Sequence, residues 1–148
     1  MKISTKGRYG LRILLDLALR ENNAPRMIRD IAESQQISEK YISRLIIDLR
    51  RANMVRSIRG AKGGFRLARR PEELTLLDIV EAMEGPLSIV DCVRTPEKCE
   101  HHVSCVTRDI WERLNSEFRE SMRRITLQEI IERYRQHHAG DGVFDYCI

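Results

Sequence analysis

Three cysteines crowd one short stretch of this chain. Cys92, Cys99 and Cys105 fall within 14 residues in the spacing C-x6-C-x5-C, and His101 and His102 lie between the last two. Clustered thiols in a chain expected to be cytoplasmic point to metal or redox chemistry rather than to a disulfide framework. The spacing lacks the C-x2-C knuckles typical of structural zinc. Three thiolates on one loop suit an iron–sulfur cluster, which four ligands normally hold. The fourth ligand is missing from the simple count. His101 and His102 are the nearest candidates, and Cys147 is another if the tail folds back. A zinc site and three free thiols are the competing readings. A thiol-redox enzyme would need a neighbour such as His101 or Arg94 to activate a cysteine. No C-x2-C motif or strand–helix alternation accompanies that idea.

The second chemical feature is charge. Residues 1–70 hold 17 Lys and Arg against 6 Asp and Glu, a balance of +11, whereas residues 71–148 carry −7. A first half this basic fits a polyanionic partner. Aromatic residues make up only 5%, too few for a platform that stacks single-stranded bases. Double-stranded DNA, read through its grooves and backbone, fits better. The chain has 148 residues, too short for a Rossmann or barrel enzyme. The motifs GxGxxG, GxxxxGK[ST], HExxH and GxSxG are absent. No run approaches the ~20 apolar residues of a membrane span. The opening MKISTKGRYG has no apolar run of the kind a signal peptide needs, so the expected location is the cytoplasm, away from membranes.

Elements that could position these groups follow from periodicity. Thr5 to Arg20 reads as an amphipathic helix stopped by Asn22-Asn23-Ala24-Pro25. A short helix follows with Ile28, Ile31 and Ala32 inward. Ser38 is a suitable N-cap for a third helix from Glu39 to Asn53. That helix has an inner stripe of Ile42, Leu45, Ile46 and Leu49 and an outer face of Glu39, Lys40, Ser43, Arg44, Asp48 and Arg51. Two short helices around a tight turn, the second polar and basic outside, describe a helix-turn-helix. Val55–Arg59 and Phe65–Ala68 flank a Gly-rich loop and read as a β-hairpin. A hairpin after a helix-turn-helix is a wing, with Arg59, Gly60, Lys62 and Gly63 at its tip.

The expected fold is therefore mainly α: a winged helix-turn-helix with a long C-terminal dimerisation helix. The expected DNA-binding domain spans 1–72. A cluster-binding loop and dimerisation helices span 73–135, and 136–148 form a tail. Thr75 and Asp78 open a helix with Leu76, Ile79, Val80 and Met83 inward, and Gly85-Pro86 ends it. A longer helix from Val106 to Arg124 carries Ile110, Trp111, Leu114, Phe118, Met122 and Ile125 at three- and four-residue spacing. This is more apolar surface than one helix needs beside a small domain, and a second copy of the chain would cover it. Thr126 and Glu129 form a capping box for a last helix through Tyr134.

The opening decapeptide, the Ile37-Ser38-Glu39-Lys40-Tyr41-Ile42 segment and the wing from Val55 to Phe65 resemble the Rrf-two family of bacterial winged-helix regulators over about residues 1–135. The three-Cys loop followed by Trp111 and the Ile125-Thr126-Leu127 step is most similar to the family's iron–sulfur-sensing members. The resemblance implies a homodimer that binds operator DNA and represses or activates transcription according to the state of a [2Fe–2S] or [4Fe–4S] cluster on Cys92, Cys99 and Cys105. The pattern departs from those members in three places. The first two Cys have six residues between them rather than five. Arg108 stands where a His ligand follows the third Cys, and a protonated guanidinium is no ordinary metal ligand. Arg8 stands where nitric-oxide-sensing members have an Asp. For DNA, the resemblance points to Ser38, Glu39, Lys40, Ser43, Arg44 and Arg59, with Ser43 in place of a Glu that discriminates between operator classes. Members concerned with cysteine metabolism lack the Cys loop, which leaves a second expectation: a cluster-free repressor acting through a partner protein or through thiol oxidation.

Overall fold

The structure, a computed structural model, describes residues 3–139; Cys147, one of the candidate fourth ligands, and most of the tail lie outside them. The helices are α1 (Thr5–Ala18), α2 (Ile28–Gln35), α3 (Glu39–Arg51), α4 (Leu76–Glu84), α5 (Asp91–Arg94), α6 (Val106–Arg124) and α7 (Leu127–His138). The antiparallel strands β1 (Val55–Ile58) and β2 (Gly64–Leu67) pair Val55 with Leu67 and Ile58 with Gly64. Among the described residues no helix is long and apolar enough to cross a membrane.

Side-chain caps set most helix starts. Ser4, Ser38, Thr75 and Thr126 each accept a hydrogen bond from a backbone N–H in the first turn of α1, α3, α4 and α7. These groups lack an intrahelical partner, so each cap contributes on the order of 1 kcal/mol. At α4 the Thr75 hydroxyl also donates to Asp78 Oδ2 at 2.7 Å. The shorter Asp is reached by the cap's own O–H instead of reaching back to its backbone.

One core joins α1, α2 and α3 to the base of the wing. Ile13, Leu14 and Leu17 meet Ile31, Ile42, Leu45, Ile46 and Leu49, with Val55 and Leu67 from the strands. Helices α4 and α7 enter the same core through Ile79, Met83, Leu127 and Ile131. Leu77 is buried and Leu76 only half-buried, so the inward stripe of α4 is displaced by one residue at its start from the periodicity expected. A second, smaller cluster of Leu77, Val80 and Met122, with Phe118 and Leu87 beside it, seats the C-terminal half of α6 on α4. Between Thr75 and Thr126 the chain closes a short bridge: Leu76 N–H donates to Ile125 O and Leu127 N–H to Leu74 O, both at 2.8 Å.

A cap formed across the sequence ties α4 to the chain start. Glu84 Oε1 accepts from Ser4 N–H at 2.8 Å, from Ser4 Oγ at 2.7 Å and from Gly7 N–H at 3.1 Å. A carboxylate at a helix N-terminus also meets the positive end of the dipole. Glu84→Ala is expected to destabilise the protein by about 1–2 kcal/mol, read as a lower urea midpoint at unchanged m-value.

Candidate nucleic-acid interface and thiol loop

The left-handed Gln36 (φ 54°) caps α2 and turns the chain towards Ser38 and α3. With Ile42, Leu45, Ile46 and Leu49 buried, Lys40, Arg44 and Ile47 are exposed on the opposite side. Ile47, which periodicity placed on neither face, is 46% exposed and falls one turn after Arg44. An exposed aliphatic there suits contact with a thymine methyl. Ser38 and Glu39 are exposed at the helix start, while Ser43 is half-buried and donates to Glu39 O at 2.8 Å. Arg51 is exposed on the outer face as expected, whereas Asp48 is less open than expected. Asp48 is half-buried and accepts from Lys6 Nζ at 2.8 Å, with Arg51 3.6 Å away. Its carboxylate fastens α3 to the start of α1.

The wing is held from both edges. β1 lies on one side of β2. On the other, Arg26 N–H donates to Phe65 O and Phe65 N–H to Arg26 O, both at 2.8 Å. The Arg26 side chain reaches inward to Asp16, with Nη1 3.0 Å from Oδ1. Asp16 is 2% exposed. Burial pushes its carboxyl above the usual carboxylate range, against the lowering effects of the Ser34 hydrogen bond and the Arg20 charge. Asn23 grips Leu67 from the same direction: Nδ2 donates to Leu67 O and Oδ1 accepts from Leu67 N–H, both at 3.2 Å. Asn23, in the segment that stops α1, thus also anchors the wing, which spacing alone did not indicate.

At the tip, Gly63 N–H donates to Gly60 O at 2.9 Å. Arg59, Gly60 and Lys62 are exposed, whereas Gly63 is buried. A Cβ on Gly63 would meet Ile58 O at 2.2 Å, so this glycine shapes the turn and presents little surface. Lys40, Arg44, Arg59 and Lys62 have no acidic partner among the described residues, and their charge is free for a polyanion.

The thiol loop hangs between α4 and α6. Cys92 lies in α5, Cys99 ends a 3-10 turn at Pro96–Lys98, and Cys105 is the N-cap of α6. All three are free thiols, each half-buried. The Thr107 hydroxyl, 3.2 Å from Cys105 Sγ, and the Arg108 backbone N–H hold that thiol below its usual range, with the Arg108 charge adding to the effect. His102 donates from Nδ1 to Cys99 O at 2.7 Å. His101 is exposed. The Arg108 guanidinium bonds His102 O and pairs with Glu112, so it pins the loop to α6. Among the described residues no three His, Cys, Asp or Glu side chains are gathered at ligating distance. The expected ligands therefore share a loop without forming a closed site. Their chemistry fits an iron–sulfur cluster in kind: three unpaired thiols, one already biased towards thiolate.

The loop is coupled to the rest of the fold. Leu87 N–H donates to Glu81 Oε1 at 2.9 Å, and Arg119 binds both Glu81 and Leu87 O. Ile89 N–H donates to Asn115 Oδ1 at 3.0 Å. Further along α6 the apolar stripe comes free of the protein. Phe118 and Met122 pack on α4, but Leu114, Trp111 and Ile110 are 39%, 41% and 51% exposed, and Val106 and Val103 more so.

A capped helix-turn-helix, a clamped two-stranded wing and a long trailing helix define the winged-helix class of DNA-binding regulators. The family model described as "Rrf2: Iron-dependent Transcriptional regulator" matches residues 3–133, and the chain belongs to this Rrf2 family of DNA-binding transcriptional regulators; it is not an enzyme. CymR of Bacillus subtilis (strain 168) is 38% identical over 130 residues, covering 88% of this chain and 89% of CymR. The solved structure of CymR, the global cysteine regulator of B. subtilis, superposes with a TM-score of 0.75 over 90% of this chain and 98% of that one, at 37% identity. That of T. potens IscR gives 0.76 over 96% and 94%, at 34% identity. IscR of Aliivibrio salmonicida is 34% identical over 131 residues, 88% of this chain and 77% of that protein.

Proposed function

We propose that this protein is a homodimeric regulator whose operator binding is controlled by an iron–sulfur cluster held by Cys92, Cys99 and Cys105. The observation that carries the reading is the loop itself: three free, half-buried thiols placed between the DNA-reading head and an unpartnered apolar helix face. The iron-dependent description of the family and the likeness to IscR support it. When bound, a cluster supplies a redox-labile cross-link among thiolates. The chain's own residues do the rest. Arg119 and Glu81 hold the loop's start against α6 and α4, Glu84 fixes the end of α4 to the start of α1, and Lys6 with Asp48 joins α1 to α3. The ordering of the loop sets how the two heads are spaced, and so biases one of two DNA-binding states. Lys40 and Arg44 face base edges or phosphates in the major groove, and Arg59 enters the minor groove, where it reads width and shape more than base identity.

Anaerobic purification is expected to give a brown protein whose visible absorbance disappears in Cys99→Ala. Colourless protein with stoichiometric zinc would refute the cluster and leave DNA binding standing. Arg59→Ala is expected to weaken operator binding by about 1–3 kcal/mol, and unchanged affinity in an anisotropy titration would remove Arg59 from the interface.

A second reading is favoured by Arg108, which occupies the expected position of a ligand and is committed to His102 O and Glu112. In it the protein is a cluster-free repressor of cysteine metabolism that responds through thiol oxidation or a partner protein; its likeness to CymR, named the global cysteine regulator of B. subtilis, supports the cysteine link. A colourless, metal-free dimer whose DNA binding changes with peroxide would select it.

A further inference from the structure

At the base of the wing, away from the tip, a cleft of about 380 Å³ opens between the end of α1 and the segment after β2. Four arginines line it, Arg20, Arg56, Arg69 and Arg70, with Asn23 and Leu67 among the walls. The acidic groups near them offset only part of this charge. Glu73 pairs with Arg70 at 3.0 Å and more loosely with Arg69, and Arg20 lies 3.6 Å from Asp16, a carboxylate that Arg26 already binds at 3.0 Å. Arg56 has no acidic partner among the described residues.

The strand register sharpens the imbalance. Arg56 stands directly opposite Arg66, so the two side chains share the outer face of the hairpin, and like charges so placed destabilise a sheet. Arg66 Nε is shielded from solvent and meets no acceptor among the described residues. An unmet donor of this kind costs stability unless something else occupies it. Arg66 does not itself line the cleft, and it adds positive charge beside Arg56, which does.

We propose that this cleft is a phosphate-binding site. A guanidinium presents a planar fork that matches two phosphate oxygens, and several around one cleft suit a multiply charged phosphoryl group. The group could belong to the operator's own backbone, flanking the base pairs read by α3 and the tip, or to a free phosphorylated ligand. The cleft lies four strand residues from the tip, about 13 Å along an extended chain, which is within reach of a phosphate on the edge of a groove the tip enters. The backbone source rests on the operator-binding reading; the free source does not.

The test uses the full-length protein, with Arg56→Gln and Arg70→Gln as variants at exposed positions and Arg133→Ala as a charge-matched control on α7. In the first arm, inorganic pyrophosphate is compared with sodium chloride at equal ionic strength in a thermal melt. Protection of about 2–4 °C is expected at roughly ten times Kd, present in the control and lost in both cleft variants. In the second arm, a duplex selected by the wild-type protein from genomic fragments is used as a minimal site and with five added base pairs on each side. A backbone phosphate in the cleft predicts that each cleft variant lowers the salt slope by about one on the longer duplex only. Success in the first arm alone assigns a free phosphorylated ligand, and success in the second assigns the operator flank. If both cleft variants match Arg133→Ala in both arms, the proposal is overturned. Failure to select any duplex would refute the operator reading and leave the pyrophosphate arm to decide the cleft.

Discussion

Gly64→Ala is expected to cost the protein its wing while leaving its core folded. Gly64 opens β2 with φ of +145°, a region that side chains rarely enter. A Cβ built there meets Arg26 O at 2.4 Å and Arg26 C at 2.5 Å. These are backbone atoms of the residue that bridges to Phe65, so no rotamer change relieves the clash. The bridge must open or the strand must shift, and either releases the tip bearing Arg59 and Lys62. Strain at one such residue costs about 1–3 kcal/mol, and the core of α1, α2 and α3 does not depend on it. Urea unfolding should show a loss of that size, and anisotropy should show operator affinity falling by at least about tenfold, the loss of a specific contact and its phosphate neighbours. Wild-type affinity in a variant of proven sequence would mean that the wing does not touch DNA.

The second large effect is expected from Leu114→Asp. Leu114 sits where the α6 stripe leaves its own protein, between the packed Phe118 and the exposed Trp111 and Ile110. In the proposed homodimer, a charge in the middle of this face would be buried without a partner, at a cost of several kcal/mol. Sedimentation should report a monomer at micromolar concentration. Because two half-sites are then no longer bound together, operator affinity should drop by about 100-fold or more. The substitution is at a half-exposed position, so monomer stability should hold, and a melt within about 0.5 kcal/mol of wild type is expected for a surface change. A dimer that persists in the variant would place the interface elsewhere.

The helices were legible because their signals are local. Ser38 and the stripe from Ile42 to Leu49 define α3, and Val106 to Arg124 is a helix in sequence and structure alike. The wing could be read from alternation around glycines. What escaped was non-local. The Arg26–Phe65 bridge involves one residue on its side and leaves no period. The Glu84 cap joins residues 80 positions apart, a distance over which no spacing rule operates. Buried Asp16 looks like any helix-surface acid until Arg26 and Ser34 are seen around it. The thiols were found by count and spacing, but no count shows whether three side chains converge, and Arg108 entered as a misfit to a pattern before its bonds to His102 and Glu112 gave it a structural part.

The shared core has a consequence for how any signal can travel. Since α4 and α7 bury Ile79, Met83, Leu127 and Ile131 among the same side chains as the reading helix, these parts form one packed unit. The stretch from about residue 88 to the first turns of α6 lies outside both apolar clusters and is held by polar contacts, among them Ile89 N–H to Asn115 and Arg108 to His102 O. If the proposed switch operates, it would therefore act on the gap between two intact hands, not by melting the fingers of either.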